Sequence, residues 1–160
     1  MPELGNIPER CHDDIKAIVD YWRSIHPKIG LPGRQHFDPV DIPQLLANLR
    51  LIDVHTSPMR FRIRLMGSQL VAAFNQDHTG KFYDEIFEGF DDSDLYLELR
   101  AVVETHEPNW RKGDHRLNSV RNYVLMERVA LPLASDGVNV DMLLMLMHFE
   151  PRFEIGKDQD

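Results

Sequence analysis

Four side chains on strand-like segments have the chemistry of general acids and bases: Asp53, His55, Asp141 and His148. In an apolar cavity, burial shifts the pKa of such a group, which can then transfer a proton near neutral pH. One hypothesis is therefore a small isomerase or dehydratase built on a cone-shaped α+β fold. Strand alternation points Asp141 away from His148, which weakens these two residues as a pair.

Nucleophilic, metal and nucleotide chemistry lack their usual sequence markers. The chain contains no Gly-x-Ser-x-Gly, no His-Glu-x-x-His, no P-loop and no dinucleotide-binding glycine motif. Cys11 is the only cysteine, so neither an intrachain disulfide nor a thiolate metal cluster can form. The sequence thus identifies no catalytic residue set, no metal site and no cofactor, and a non-catalytic protein is the leading expectation.

Arginines alternate with apolar residues at Arg60, Arg62 and Arg64, which we name the arginine stripe. On a strand, this alternation places the stripe on the outer face of the sheet. Arginine suits bidentate contacts to carboxylate or phosphate, so the stripe, with Arg64 within it, is a candidate site for an anion or partner. The alternative is a solvated face that pairs with acidic neighbours such as Glu127. We interpret Arg34 as a clamp for its own loop or, alternatively, as an anion contact.

Length and charge restrict the class of protein. The chain has 160 residues and a formal net charge of -8, which fits one domain that repels nucleic acid and anionic membranes. No segment approaches the roughly 18 apolar residues of a membrane span. The first ten residues also lack the basic start and apolar run of a signal peptide. We therefore expect a soluble, cytoplasmic protein without nucleic-acid or membrane partners.

Apolar residues at spacings of three and four predict an α-helix between Pro8 and His26. Its apolar face contains Ile15, Ile18, Val19 and Trp22. Pro27 ends this helix because the residue before a proline avoids helical geometry. A second helix is predicted from Asp38 or Pro39 to about Leu49. Pro43 offers an alternative in which this segment forms two short turns.

Five strands are predicted, divided by a helical midsection between residues 68 and 107. Two strands, at 51–55 and near 60–65, precede the midsection and form a hairpin. Three follow it, at 109–117, 122–133 and 138–149, and Ser135-Asp136-Gly137 is a hairpin turn between the last two. The last strand is strongly apolar, so we expect it at the centre of the sheet. The predicted fold is α+β: a five-stranded antiparallel sheet with helices on one face and two extra N-terminal helices.

Several short motifs resemble, in order and spacing, those of a bacterial PAS-like family. Its opening is similar to Leu31-Pro32-Gly33-Arg34, Phe37-Asp38-Pro39 and Leu51-Ile52-Asp53-Val54, and its second strand to Arg62-Ile-Arg-Leu-Met-Gly67. Thr79-Gly80, Leu131-Pro132-Leu133 and Asp136-Gly137 resemble later motifs. The resemblance runs from about Trp22 to Phe149. It implies a PAS-like domain at 31–150, after an N-terminal helical element at 1–30. We expect the charged tail, 151–160, to be disordered.

In a PAS fold a ligand lies between the sheet and the midsection, so the resemblance implies an apolar pocket there. The expected lining is Ile63, Leu65, Phe74, Phe87, Leu99, Tyr123, Val129, Leu143, Met145 and Met147. These residues can instead fill a close-packed core. A haem would require an axial ligand, for which His78 and His106 are candidates. A flavin photosensor would require a cysteine in the midsection, where this chain has none.

The resemblance also gives the first helix a candidate role, because PAS domains commonly dimerise through flanking helices. Ile15, Ile18, Val19 and Trp22 are accordingly the candidate homodimer interface. The alternative is that this face packs on the chain's own sheet. The leading hypothesis is a sensory or regulatory domain of signal transduction that binds a small ligand or a signalling protein. A helical midsection between the second and third strands favours it over the enzyme.

Overall fold

A computed structural model describes residues 5–114 and 123–151. The strands are β1 (Leu49–His55), β2 (Arg60–Met66), β3 (Asn109–Asp114), β4 (Tyr123–Leu133) and β5 (Met142–Pro151). The α-helices are α1 (Asp13–Ser24), α2 (Ser68–Phe74), α3 (Tyr83–Ile86) and α4 (Asp94–Thr105). Of the predicted disordered tail, residues 152–160 lie outside the described residues. None of the described helices is long and apolar enough to cross a membrane.

The strands form one antiparallel sheet in the order β2-β1-β5-β4-β3. The predicted α+β architecture is therefore confirmed, with β5 at the centre as its apolar sequence indicated. Met142 to Met147 are all buried, because a central strand covered on both faces is apolar along its whole length. The predicted turn at Ser135-Asp136-Gly137 joins β4 to β5, and the Asp136 carboxylate accepts the backbone N–H groups of Val138 and Asn139.

The midsection helices, α2, α3 and α4, follow β2 in the chain and cover one face of the sheet. At the start of α2, a Cβ on Gly67 would lie 2.4 Å from the carbonyl oxygen of Ala47, so this close approach requires glycine. At the start of α4, the Ser93 hydroxyl accepts the backbone N–H of Tyr96 at 3.2 Å, as an N-cap does. His106 ends the helix in the left-handed conformation, with φ 63°.

Helix α1 covers the opposite face of the sheet. Ile15, Ile18 and Trp22 are 0% exposed and Val19 is 5% exposed. The Trp22 indole Nε1 donates a hydrogen bond to the carbonyl of Pro132 in β4 at 3.0 Å. The prediction that these four residues form a dimer interface is therefore wrong, since one chain already buries them. The alternative, in which the helix packs on its own sheet, is the observed arrangement.

The predicted second helix is not an α-helix. The chain forms two separate 3-10 segments instead, Pro39–Asp41 and Pro43–Asn48. Asp38 caps the first by accepting the Val40 N–H at 3.0 Å. Pro43 has no N–H to donate and therefore interrupts helical hydrogen bonding. The alternative of two short turns is the one observed.

A β-bulge in β2 changes which side chains point inward. Leu51 pairs with Leu65 and Ile52 pairs with Ile63, so Arg64 is an extra residue without a partner in register. An extra residue shifts the alternation by one position. Ile63 is accordingly 0% exposed, Leu65 is 42% exposed and Met66 is 8% exposed. The prediction that Leu65 points inward with Ile63 is wrong for this reason.

The loop before the first 3-10 segments packs closely on the hairpin between β4 and β5. Leu31 N–H donates to the carbonyl of Gly137, and Ala134 N–H donates to that of Pro32, each at 2.9 Å. Gly30 has φ +86°, and a Cβ there would lie 2.5 Å from the Gly137 oxygen. Only glycine fits this position, both for its conformation and for the close approach.

Candidate ligand-binding cavity

A cavity of about 290 Å³ lies between the midsection helices and the sheet. An engineered apolar cavity of about 150 Å³ is large enough to bind benzene, so this one has room for a substituted ring. The lining residues come from the sheet and from segments 74–95: Arg50, Phe74, Tyr83, Phe87, Asp92, Ser93, Asp94, Leu95, Arg111, Met126, Arg128, Met145 and Met147.

Strand register explains which sheet residues reach the cavity. Arg50 of β1 pairs with Met145 of β5, and Met147 of β5 pairs with Arg128 of β4. Directly paired residues share a face, so these four side chains form one surface under the midsection helices. We name it the cavity face. Of the predicted lining, Met145, Met147, Phe74 and Phe87 are brought together here.

The other predicted lining residues lie elsewhere. Ile63, Leu99 and Leu143 are 0% exposed but belong to the core around the cavity instead of its lining. Val129 pairs with Leu146 and shares a face with Glu127, which contacts the start of α1, so its predicted place in the pocket is wrong. Both faces of β4 are buried, and alternation alone could not tell them apart. The side chain of Tyr123 lies outside the described part of the structure, and Leu65 is turned outward by the bulge.

Arg50 is a buried cation that the sequence analysis did not identify. Its side chain is 1% exposed, and its guanidinium lies 5.0 Å from the centre of the Phe74 ring and 5.6 Å from that of Tyr83. Nη1 donates to the Tyr83 hydroxyl at 2.8 Å. Nε and Nη2 have no hydrogen-bond partner among the described residues. Arg50 therefore presents unused donors in a buried site.

Arg128 is a second buried cation in the lining, with 0% exposure. Its Nη2 forms an ion pair with the Glu98 carboxylate, and Nη1 donates to the carbonyl of Asn109 at 3.3 Å. Nε has no partner among the described residues. Arg111 Nη1 lies 3.5 Å from the same Glu98 carboxylate. Burial lowers the pKa of Arg128, while the charge of Glu98 acts in the opposite direction; an arginine nevertheless remains protonated.

Two carboxylates, those of Asp92 and Asp94, also line the cavity, and both residues are exposed to solvent. Water and salt screen exposed charges far more than buried ones. The cavity therefore combines acidic groups at its solvent side with buried guanidinium groups at the sheet.

Comparison with known proteins identifies the family. Residues 10–148 match the sequence model of a family described as "PAS domain". The chain belongs to the PAS domain family. No curated protein matches it. Among solved structures, a sensory box sensor histidine kinase from Vibrio cholerae has the same fold. It aligns with a TM-score of 0.50 and 12% identity, over 71% of this chain and 92% of that one. A LOV protein from Rhodobacter sphaeroides aligns with a TM-score of 0.49 and 10% identity, over 90% of this chain and 70% of that one.

The candidate acid–base residues of this PAS domain all lie outside the cavity: Asp53, His55, Asp141 and His148. Asp53 lies 3.5 Å from Arg64, and Asp141 accepts the Ser135 N–H at 3.2 Å. His55 is exposed, and His148 contacts the start of α1. The enzyme hypothesis required an acid or base in an apolar pocket, and these residues are not placed for that role.

The haem-ligand candidates do not line the cavity either. His78 is 6% exposed and lies against the rings of Phe74 and Phe87, at 5.9 and 6.3 Å between centroids. Burial, followed by the nearby charge of Arg50, lowers its pKa. His106 is exposed at the end of α4. Among the described residues, those that line the cavity of this PAS domain include no histidine and no cysteine.

The arginine stripe is paired within the chain. Arg60 donates two hydrogen bonds of 2.8 Å to the Asp84 carboxylate, and its guanidinium lies 3.7 Å from the centre of the Phe82 ring. Arg62 donates to the carbonyl of Gly80 at 3.0 Å, and Arg64 pairs with Asp53 as above. The interpretation as a solvated, internally paired face fits these contacts. The acidic partners of the stripe include Asp84 and Asp53 instead of Glu127, which was suggested from the sequence.

Glu127, the partner suggested for the stripe, lies on β4, and β1 and β5 separate that strand from β2 in the sheet. Its carboxylate accepts the backbone N–H of His12 at 2.8 Å and the Trp110 indole N–H at 3.0 Å. Arg34 donates to the carbonyl of Phe37 at 2.8 Å, and its guanidinium lies 5.1 Å from the centre of that ring. These contacts fit the loop-clamp interpretation of Arg34.

A cluster of polar side chains lies between α1 and β5, outside the cavity. One ligand atom each from His12, Asp14 and His148 lies within 4.8 Å of the others, a spacing that could hold a metal ion. His148 Nε2 lies 2.8 Å from the Asp14 carboxylate, and His12 Nδ1 accepts the Asp14 N–H at 3.0 Å. The two imidazole rings stack at 4.1 Å with 19° between their planes. The His148–Asp14 hydrogen bond and the stacked rings connect the start of α1 to β5.

Proposed function

We propose that this PAS domain is a non-catalytic sensory module that binds a small ligand in the cavity and transmits its occupancy to a signalling protein. One observation carries the proposal: the cavity is lined by Arg50 and Arg128, whose guanidinium groups include buried nitrogens that have no partner among the described residues. Buried polar groups in native proteins are nearly always hydrogen-bonded. A bound ligand would provide the missing acceptors.

The composition of the lining supports the same function. Small-molecule sites combine mostly apolar walls with a few fixed polar groups. Here the walls include Met126, Met145, Met147 and aromatic rings, and the polar groups are guanidiniums at the sheet and carboxylates at the solvent side. Methionine side chains are flexible and adjust to the shape of a guest. The cavity thus has the chemical make-up of a binding site in a volume that fits a small molecule.

The signalling partner, the homodimer and the cytoplasmic location predicted from the sequence are part of this proposal. A second copy would use a surface other than the apolar face of α1, because Ile15, Ile18, Val19 and Trp22 are covered within one chain. Light scattering tests the homodimer directly, and a monomer mass at micromolar concentration would exclude it.

Native mass spectrometry of protein purified from its own cells tests ligand binding. We expect the wild type to retain a small molecule and a cavity-filling variant, Met147→Phe, to lose it. The matched control is Leu146→Met, a volume-conserving change on the same strand that points to the other face. Circular dichroism checks that both variants fold.

Two results would contradict the proposal. The first is a bound molecule that Met147→Phe retains as well as the control does. The second is wild-type protein that carries no molecule and whose melting temperature does not rise when it is mixed with a metabolite extract, since a ligand that binds the native state raises it.

A further inference from the structure

The polar groups deep in the cavity are hydrogen-bond donors. Arg50 and Arg128 together leave Nε of each residue and Nη2 of Arg50 without partners among the described residues. A guanidinium has five N–H donors and no acceptor. The Tyr83 hydroxyl already accepts a hydrogen bond from Arg50. A ligand that completes this site must therefore present acceptor atoms.

The buried charges are also unbalanced. Arg50 and Arg128 are 1% and 0% exposed, and Arg111 has a side chain that is 15% exposed. The Glu98 carboxylate contacts two of these three cations, Arg111 and Arg128. Arg50 has aromatic rings and a hydroxyl around it, and no carboxylate is paired with it among the described residues. A buried charge without a counter-charge is unfavourable, and a bound anion would compensate it.

We propose that the ligand of the cavity is an anion, whose carboxylate or phosphate group is held by the buried guanidiniums of Arg50 and Arg128. This inference rests on the proposed function, because it specifies the ligand class of the same cavity. Guanidinium groups match both oxyanions with two parallel N–H···O bonds. Asp92 and Asp94 do not cancel this preference, because they are exposed and screened.

The remainder of the ligand is apolar or aromatic. Beside the guanidiniums, the lining includes thioethers and rings, among them Met126, Met145 and Phe87. Thioether sulfur and aromatic edges pack favourably on a ring. With a volume of about 290 Å³, the cavity fits a small aromatic acid better than a long chain or a nucleotide.

Calorimetric titration of refolded, ligand-free protein tests the inference with four probes. Benzoate and phenyl phosphate are anions, benzamide is the neutral counterpart of benzoate, and inorganic phosphate lacks a ring. The variants are Arg50→Gln, which keeps a donor for Tyr83 but removes the charge, and Arg50→Lys, which keeps the charge. Arg34→Gln is the matched control at an exposed arginine of the loop.

We expect benzoate or phenyl phosphate to bind the wild type and to bind Arg50→Gln at least about tenfold more weakly, as expected for loss of a charged hydrogen bond. Arg50→Lys should retain more of the affinity than Arg50→Gln, and Arg34→Gln should match the wild type. Benzamide should bind more weakly than benzoate and respond little to Arg50→Gln. The tighter of the two ring anions identifies the preferred acid, and inorganic phosphate measures what the anionic group contributes alone.

The inference is overturned if benzamide binds as tightly as benzoate, or if Arg50→Gln does not change the preference for the anion. In that case, the cavity would still be supported as a ligand site if the wild type binds a probe and Met147→Phe does not. The inference is also overturned if none of the three anions binds at millimolar concentration. The proposed function is tested separately in that case, by whether native mass spectrometry detects a retained molecule. If Arg50→Gln does not fold, the comparison of benzoate with benzamide on wild-type protein decides.

Discussion

The two faces of the central sheet differ in how completely they are packed. On the face under α1, apolar side chains are fully buried and three polar side chains have partners: the Trp22 indole donates to a carbonyl, Glu127 accepts two N–H groups, and His148 contacts Asp14. On the cavity face, a cavity of about 290 Å³ is lined by Arg50 and Arg128, whose guanidinium groups include nitrogens without partners among the described residues.

This difference indicates that one face of the sheet mainly contributes to stability, while the other has the features of a binding site. A close-packed face with satisfied polar groups contributes to the free energy of folding. A face with a cavity and buried charges reduces it, and natural proteins keep such features mainly at functional sites. Under the proposed function, the cavity face is the binding side of the PAS domain, and α1 covers the other side.

The largest expected effect is the loss of Trp22. Trp22→Ala should lower the free energy of unfolding by about 3–5 kcal/mol, because it leaves a large void in a fully packed face. Met147→Ala, on the cavity face, should cost about 2 kcal/mol, near the lower end for such truncations, since it enlarges a space that already exists. Urea denaturation measures both. Equal costs, or a larger cost for Met147→Ala, would contradict the difference in packing.

The second prediction concerns the buried charge. Arg50→Met should raise the free energy of unfolding of ligand-free protein by about 1 kcal/mol, because replacing a poorly compensated buried ion by an apolar side chain of similar length is often stabilising. The same variant should lose anion binding, which would demonstrate a stability cost of function. Thermal and urea unfolding measure the effect, and Arg10→Met is the control at an exposed arginine. A marked loss of stability would show that the rings and the Tyr83 hydroxyl fully compensate the charge of Arg50.

The sequence predicted the five strands, an antiparallel sheet and the central position of β5, because these depend on local alternation and on continuous apolar runs. It misassigned Val129, since a strand buried on both faces gives no signal for which side faces the helices. It also missed Arg50 and Arg128. Their burial depends on partners far along the chain, such as Tyr83, 33 residues from Arg50, and Glu98, 30 residues from Arg128.

The third prediction is a pH dependence to which both faces contribute. Burial and the neighbouring His12 hold the pKa of His148 below the ordinary value of 6.5. Burial and Arg50 do the same for His78. As pH falls below about 6.5, these histidines bind protons in the unfolded state but not yet in the folded state. The free energy of unfolding therefore decreases as the pH falls from about 6.5 to the pKa values of the folded protein. The stability is fully present above that window.

Chemical unfolding at pH 7.5 and 5.5 measures this loss for His148→Gln, His78→Gln and the double variant. Asp14 and Glu127 also face His148, and Lys81 and Asp77 influence His78, so the charges of these neighbours are kept in all variants. Each single variant should reduce the loss, and the double variant should reduce it most. A loss that only His148→Gln removes would assign the pH dependence to the α1 side alone.

The smallest expected effect tests the bulge at Arg64. Leu65→Thr should change the free energy of unfolding by no more than about 0.5 kcal/mol, because the side chain is on the surface. Met66→Thr should cost about 2 kcal/mol or more, as for truncation of a buried side chain. Without the bulge, alternation from Ile63 would bury Leu65 and expose Met66. If Leu65→Thr lowers the free energy of unfolding more than Met66→Thr does, β2 pairs in regular register. Leu65 would then belong to the buried face, as its alternation with Ile63 suggested.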